Sequence, residues 1–530
     1  MATIGDRVED ADGFRGTVRY VGSIQSKGDQ VYWGTSVPPR CGGDCQRLGI
    51  EWDDSSRGKH GGAANGVQYF VTRAPTAGTF VAPEKVSRGR GLLPALHERY
   101  MQAEASDVRV AGEVATAGGS SKSIQLVGVH KIQEKQHIGV ICKVSLEGCQ
   151  VATLPTPAEL AAVAPNIQEL DLGFNLLASW AEVLSLATAL PKLEQLVLSG
   201  NRLQYDATAD AGAFPLVTRL VLNQTATSWT DLLRICVHFP ALRELHVAAN
   251  DLADADLIEG VWPETLELVD VSHNSIGDWA AVQRALGGLP ALRHLVATHN
   301  ALGAIAPSAA GSFASLESLA LGDNRIASWA SMDALNSFPA LTLLRFAKNP
   351  LVAGLGAGEA RMMVVARCGR LLAFNGSEIR AKERTDAEQM YLKRIIHEVA
   401  SFKDDADKHK VLASHPRYID LLAKYPDIQK PATTTGGPAA LARSLVAVTF
   451  VPMSSQAATM EPMAKKLPLN MTVGQLKTLV GKKYGLEPAA LQLSFRATAK
   501  EMPVPLDDDS GDVGYYGLQD GAEILVNDVW

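Results

Sequence analysis

The chain has 530 residues, of which 46% are hydrophobic and 20% charged, and its formal net charge is −7. That length exceeds what one hydrophobic core holds, so several domains are expected. A mildly acidic balance excludes a protein whose whole surface grips nucleic acid, and the composition is that of a globular chain. At the N-terminus, MATIGDRVED lacks an apolar h-region, and no run of roughly 18 uncharged apolar residues occurs anywhere. The expectation is a cytoplasmic protein with no signal peptide, no membrane span and no membrane partner.

The first 92 residues alternate short β-rich runs with glycine: GDRV (5–8), GTVRYVG (16–22), LGIEWDD (48–54), GVQYF (66–70) and GTFVAPEKV (78–86). Such spacing predicts a small, strongly bent sheet. The third run is followed by RGKHGGAANGVQYF (57–70), which ends in the fourth and is too rich in glycine for a helix. A phosphate loop would need GxxxxGK[ST] ahead of a helix, and one histidine makes no metal site. A linker would not lead straight into a strand. A rigid loop presenting Lys59 to an anion remains. Cys41 and Cys45, in the insertion PPRCGGDCQR (38–47), have a spacing zinc tolerates, but no second Cys or His pair follows at ligand distance. Free thiols, no metal and no cofactor are expected, and six cysteines in so long a chain fit a reducing compartment.

These motifs resemble the CAP-Gly domain, whose hallmark is a G-K-N-D-G loop followed by G-x-x-Y-F and later G-x-F-V. Gly58, Lys59, Gly62, Gly66, Tyr69, Phe70, Gly78, Phe80 and Val81 match, while His60 stands for the loop Asn and Gly61 for the Asp. The resemblance implies binding of acidic protein tails that end in an aromatic residue, notably that of α-tubulin. A terminal carboxylate wants a fixed cation and donors, which Lys59 and His60 supply. A terminal tyrosine wants an apolar slot, expected to be walled by Trp52, Phe70 and Phe80. Gly58 and Gly62 let the backbone approach the peptide.

A helix and a second small-residue stretch, AGEVATAGGSSKS (111–123), fill residues 93–137 and suggest that the N-terminal module moves independently. From residue 138 a pattern L-x-x-L-x-L-x-x-N recurs. Its copies include Ile167, Leu170, Leu172, Asn175; Leu193, Leu196, Leu198, Asn201; and Val217, Leu220, Leu222, Thr225. The later copies reach Asn250, Asn274, Asn300, Asn324 and Asn349, and a weaker first one has Cys149 in the Asn slot. This is a leucine-rich-repeat solenoid, expected over 138–380: one coil cannot bury its apolar face alone, so coils stack. Trp180, Trp229, Trp279 and Trp329 recur in every second repeat, which predicts a tryptophan stack wedged into alternate convex connections, with a ligand platform as the alternative. The histidines are scattered, and no Ser/His/Asp or HExxH arrangement can be assembled. No enzyme is expected.

Residues 381–428 are rich in helix formers and are expected to cap the open end of the solenoid. KPATTTGGPAAL (430–441) reads as a linker within 429–443. Over 444–530 a ββαββ order, with T-V-G-Q-L-K opening the helix, resembles the ubiquitin fold. The predicted class is therefore multidomain: a small all-β CAP-Gly barrel, an α/β leucine-rich-repeat solenoid and an α+β ubiquitin-like β-grasp.

That succession resembles the tubulin-folding cofactor family, as do LVLNQT (220–225), ERTDAEQMYLKR (383–394) and HPRYIDLLAKY (415–425). The family implies a chaperone that captures α-tubulin and assembles or dismantles the α/β-tubulin heterodimer. Its implied partners are β-tubulin and other folding cofactors, with protein-quality-control machinery at the ubiquitin-like end. The implied location is the cytoplasm and cytoskeleton. Two alternatives stay open. One is a microtubule-associated tether that reads tails on the polymer, though no sustained heptads offer it a dimer. The other is a repeat scaffold that regulates another protein, which has no need of Lys59 and its loop.

Overall fold

A computed structural model describes residues 2–24, 46–106, 114–115, 121–122, 138–205, 212–309, 311–429, 445–453, 461–468, 471–496, 503–506, 509, 513–516, 518 and 520–528. Cys41, Cys45, the 430–441 linker and most of the 111–123 stretch lie outside the described residues. The chain forms two compact units, Met1–Ala353 with Cys368–Ile379, and Gly354–Arg367 with Arg380–Trp530.

The first unit opens with β1 (Arg7–Asp10), β2 (Arg15–Gly22), β3 (Arg47–Trp52), the small hairpin β4 (Ala63–Ala64) and β5 (Val67–Gln68), β6 (Gly78–Val81) and β7 (Val86–Ser87). Five of these make one antiparallel sheet in the order β6-β3-β2-β1-β7. A register shift between Val18 and Tyr20 bends β2, as a bulge does. Val8, Val18, Leu48, Ile50 and Trp52 form the core of this sheet. Next come β8 (Arg90–Gly91), helix α1 (Leu92–Ser106) and a short hairpin of β9 (Val114–Ala115) with β10 (Ser121–Lys122).

The repeats form an eleven-stranded sheet. Its first nine strands are β11 (Lys143–Ser145), β13 (Glu169–Asp171), β14 (Gln195–Val197), β15 (Arg219–Val221), β16 (Glu244–His246), β17 (Leu268–Asp270), β18 (His294–Val296), β19 (Ser318–Ala320) and β20 (Leu343–Arg345). β21 (Ala373–Phe374) and β22 (Ser377–Glu378) close it, and β12 (Val151–Thr153) stands outside it. Each repeat strand pairs parallel with the next, centre on centre, so Leu170, Leu196, Leu220 and Leu245 form one buried column. The Asn column runs beside it. Asn201 is fully buried; its Nδ2 donates to the carbonyls of Leu198 and, in the preceding coil, Leu172, both at 2.9 Å. Its Oδ1 accepts from the Leu177 N–H at 3.1 Å. One amide thus satisfies backbone groups of two coils, which no apolar residue could do.

Every second coil carries a helix whose first residue is a tryptophan. After α2 (Pro157–Val163) these are α3 (Trp180–Ser185), α4 (Trp229–Cys236), α5 (Trp279–Leu286) and α6 (Trp329–Ala334), capped by Ser179, Ser228, Asp278 and Ser328. Trp180, Trp229 and Trp279 are buried, but their rings do not stack on each other as the spacing had suggested. Trp229 meets Trp262 edge-on at 5.1 Å, and Trp279 lies against Phe313 and Phe338. Two coils separate successive tryptophans by about 10 Å, and aromatic side chains of the coils that follow supply their partners instead.

The N-terminal sheet is fastened to the first coils. β8 pairs in parallel with β12. Arg15 Nη1 donates to the Phe174 carbonyl at 2.6 Å, and its guanidinium lies over that ring. Gln150 donates to Glu9 at 2.6 Å, and Asp53, paired with Arg7, lies 3.4 Å from Arg202. The composition of 111–123 suggested independence, but β8 and α1 precede that stretch and join the solenoid before it begins.

After α7 (Pro350–Ala353), the second unit opens with α8 (Ala357–Arg367), which is followed by α9 (Ala381–Ser401), α10 (Asp405–Ala413) and α11 (Tyr418–Lys424). Glu388, fully buried on α9, accepts from Arg417 at 2.9 Å, Lys424 at 2.6 Å and Tyr425 at 2.8 Å. Burial pushes its carboxyl upward, but these three partners outweigh that and hold it below its ordinary range. Beyond lie β23 (Leu445–Pro452), β24 (Met463–Pro468), α12 (Val473–Tyr484), β25 (Leu491–Arg496), β26 (Val504–Leu506) and β27 (Ala522–Asp528). Their order is β24-β23-β27-β25-β26, with β23 and β27 parallel, which is the β-grasp arrangement. Thr472 and Gln475 close a capping box at the start of α12. The ββαββ expectation lacked β26, a three-residue edge strand that contains Pro505 and so reads as a break.

Candidate functional site

Residues 57–62 form a loop held at three points. At its start Arg57 pairs with Asp10 at 2.7 Å and Asp12 at 3.1 Å, and lies over the rings of Phe14 and Trp52. In its middle the Lys59 and His60 N–H groups both donate to the Gly78 carbonyl, and the Gly78 N–H returns a bond to the His60 carbonyl at 2.7 Å. At its end the Gly62 carbonyl accepts from the Tyr69 N–H at 3.0 Å. Two glycines make this possible. A Cβ on Gly58 would lie 2.0 Å from the Thr76 carbonyl oxygen, and one on Gly62, whose φ is +93°, would lie 2.0 Å from that of Phe70. Neither position accepts another residue without moving the loop.

On this frame the Lys59 side chain is exposed and makes no ion pair among the described residues. Beside it His60 accepts from the Gly62 N–H through Nδ1 at 3.0 Å, which leaves Nε2 as the ring's donor. Burial, and secondarily the Lys59 charge, lower the His60 pKa from its ordinary 6.5. The imidazole lies 5.0 Å from the Phe80 ring, tilted by 34°. Phe80 in turn meets Phe70 at 5.4 Å, Tyr69 at 5.5 Å and Tyr20 at 6.2 Å, all near perpendicular. Phe70 is the buried floor of this cluster, while Tyr20, Tyr69 and Phe80 are partly open to solvent.

The fold therefore brings Gly58, Lys59, His60, Gly62, Phe70 and Phe80 together. Trp52 is not among them. It is 3% exposed in the sheet core with Val8, Val18, Leu48 and Ile50, and it touches the loop only from beneath, at Arg57. Alternation along β3 explains this: Leu48, Ile50 and Trp52 face one side of the strand. Tyr20 and Tyr69 complete the aromatic wall instead. Tyr69 stood in the sequence motif next to Phe70, but Tyr20 had no local signal, because its approach depends on the bulge in β2.

The geometry is that of a cation and a hydrogen-bond donor at the edge of an aromatic slot. It can hold a carboxylate next to a planar side chain. No cluster of three or more metal-ligating side chains exists among the described residues, and no helix there is long and apolar enough to cross a membrane.

Comparison with known proteins agrees with the architecture. The CAP-Gly domain family matches residues 4–86, and the ubiquitin-like domain family matches residues 448–529. Over the whole length the chain is similar to tubulin-folding cofactor E of Arabidopsis thaliana, at 32% identity over 99% of this chain and 98% of that one. It is equally similar to tubulin-specific chaperone E of Danio rerio, at 32% over 97% of both chains. With the Homo sapiens protein of the same name it shares 31% identity over 99% of this chain and 98% of that one.

Proposed function

Because the chain belongs to the tubulin-specific chaperone E family, we propose that it captures α-tubulin and promotes assembly or dissociation of the α/β-tubulin heterodimer. The loop of Lys59 and His60 takes the acidic C-terminal tail, and the inner face of the repeat sheet engages the body of the same subunit. The observation that carries this reading is the exposed Lys59 ammonium, without an ion pair among the described residues, beside the cluster of His60, Phe80, Tyr69 and Tyr20. An acidic tail with a terminal tyrosine presents the matching groups. A charge-assisted hydrogen bond to its carboxylate is worth about 1.5–3 kcal/mol, so Lys59 sets much of the tail affinity.

Two weak contacts on one rigid support give strong capture, since the second then occurs at high effective concentration. Other folding cofactors and β-tubulin complete the assembly, and the ubiquitin-like fold offers a separate surface to a further cofactor or to protein-quality-control machinery. The site of action is the cytoplasm.

The test is energy transfer between donor and acceptor labels on the two subunits of purified tubulin. Full-length protein should abolish transfer with time, and Lys59→Ala should slow that loss about tenfold at subsaturating protein, one unit of RT ln 10 being about 1.4 kcal/mol. Persistent transfer despite measurable tail binding, with the partner cofactors also present, would leave a tail-reading tether in its place.

A further inference from the structure

Behind the Lys59 loop the chain turns through residues 71–77, and Gly58 and Gly61 lie against that turn at Thr76 and Pro75. The turn carries Arg73 and Ala77 into a cavity of about 250 Å³, whose opposite wall is the solenoid at Arg202, Gln204 and Asp251. The charges around it are unevenly paired. Glu51 is engaged by Arg19 at 2.8 Å and by the Arg73 backbone N–H at 2.7 Å. Asp53 is shared by Arg7 and Arg202. The Arg73 guanidinium is left without an ion pair among the described residues.

Two buried donors also lack an acceptor among the described residues: the indole N–H of Trp52, 3% exposed, and Nε of Arg7, 2% exposed, whose guanidinium pairs with Asp53 at the cavity wall. Trp52 lines the cavity directly. Burial of Arg202 weakens its hold on a proton, and the facing charges of Arg73 and Arg7 add to that, while Asp53 opposes it. Asp251 is the opposing charge at the rim, exposed and without a partner of its own among the described residues. Surplus donors and a shared carboxylate make a place that gains from one more anionic group.

We propose that this cleft, between the N-terminal sheet and the third to fifth coils, binds the acidic side chains of a peptide whose C-terminal residue sits at Lys59. Arg73 and Arg202 take the carboxylates upstream of the terminal residue, so the tail is read along a track that passes from the N-terminal sheet onto the solenoid. The inference rests on the tail-binding reading above and gives it a second anchor. It also gives a use to the fastening of the sheet on the first coils: a freely moving module could not keep Arg73 opposite Arg202.

The test uses full-length protein and three fluorescent peptides with the same Glu-Glu-Tyr terminus. One is the tripeptide, one has about twelve residues with glutamates upstream, and one is its equal with those glutamates replaced by glutamine. The acidic long peptide should bind about fivefold more tightly than either other, on the order of 1 kcal/mol. Arg73→Gln should remove that gain, Asp251→Asn should enlarge it, and Lys59→Ala should weaken all three peptides. Arg73 is exposed and has no ion pair among the described residues, so its replacement leaves the fold in place, and the glutamine peptide asks the same question without any variant. If the tripeptide binds and the two long peptides bind alike, or if the gain survives Arg73→Gln, the cleft assignment falls and the Lys59 site stands. If no peptide binds the wild-type protein, both fall.

Discussion

At the scale of single residues, His60 shows how one substitution in a loop changes its chemistry without emptying it. Its Nδ1 is committed as acceptor to the Gly62 N–H, so the neutral ring is the form that fits the loop. Burial first, and the Lys59 charge second, depress its pKa below 6.5. A group whose neutral form is favoured in the folded state adds stability above the unfolded pKa. That stability is lost as pH falls through the lower folded value. We therefore expect the His60 imidazole, followed by nuclear magnetic resonance, to titrate with a midpoint below 6.5, and tail affinity to stay level between about pH 7 and 8, where the ring is neutral. A midpoint above 6.5 would show the ring to be stabilised as a cation and contradict the bond to Gly62. Lys59, His60, Phe70, Phe80 and the two obligatory glycines are named in the sequence by the resemblance to the CAP-Gly motif, and the fold brings them side by side. Trp52 was misplaced because its aromatic character is visible in sequence, but the side of β3 it faces is set by pairing with β2.

At the scale of elements, the Asn column is what makes a nearly invariant spacing necessary. Removing the Asn201 side chain strands the buried Leu177 N–H and takes one donor each from the Leu172 and Leu198 carbonyls, which keep the Asn175 amide and the Asn201 N–H. The stranded N–H costs about 1–3 kcal/mol, and the lost amide bonds to the two carbonyls and the space the side chain filled add to it. Asn201→Ala should thus lower stability by about 2–4 kcal/mol, read as a fall in the urea midpoint of the first unit. A loss of about 0.5 kcal/mol or less, the range of an ordinary surface change, would mean that the amide bonds are incidental. The repeat was readable because each coil imposes the same requirement on its own sequence. The partners of the tryptophans were not, since Phe313, Phe338 and Trp262 come from coils whose relation to them is fixed by stacking. β26 was missed for the opposite reason: a short proline-bearing edge strand has little local pattern and exists only because β25 pairs with it.

At the scale of the whole chain, the seat of the N-terminal sheet on the solenoid decides what lies beside the turn behind the Lys59 loop. Arg15→Ala with Asp53→Ala removes the bond to the Phe174 carbonyl and the carboxylate shared by Arg7 and Arg202. The Arg90 N–H, which donates to the Gln150 carbonyl where β8 meets β12, should then exchange with solvent faster, while the Val18 amide inside the sheet keeps its protection. Unchanged exchange at Arg90 would mean that β8 pairing alone holds the two parts together.

The sequence by itself determined the parts: the glycine-framed loop, the count and register of the coils, the helical segment after them and the capped helix of the C-terminal fold. Each of these is dictated by local backbone geometry or by a periodic pattern, and both are written residue by residue. Only the tertiary structure decided that Tyr20 and not Trp52 walls the slot, and that Asp53 serves arginines of two domains. It alone placed Arg73 opposite Arg202. Those outcomes depend on which surfaces meet between stretches of chain well separated in sequence, and single side chains far apart in sequence carry no periodic mark of the partner they will find.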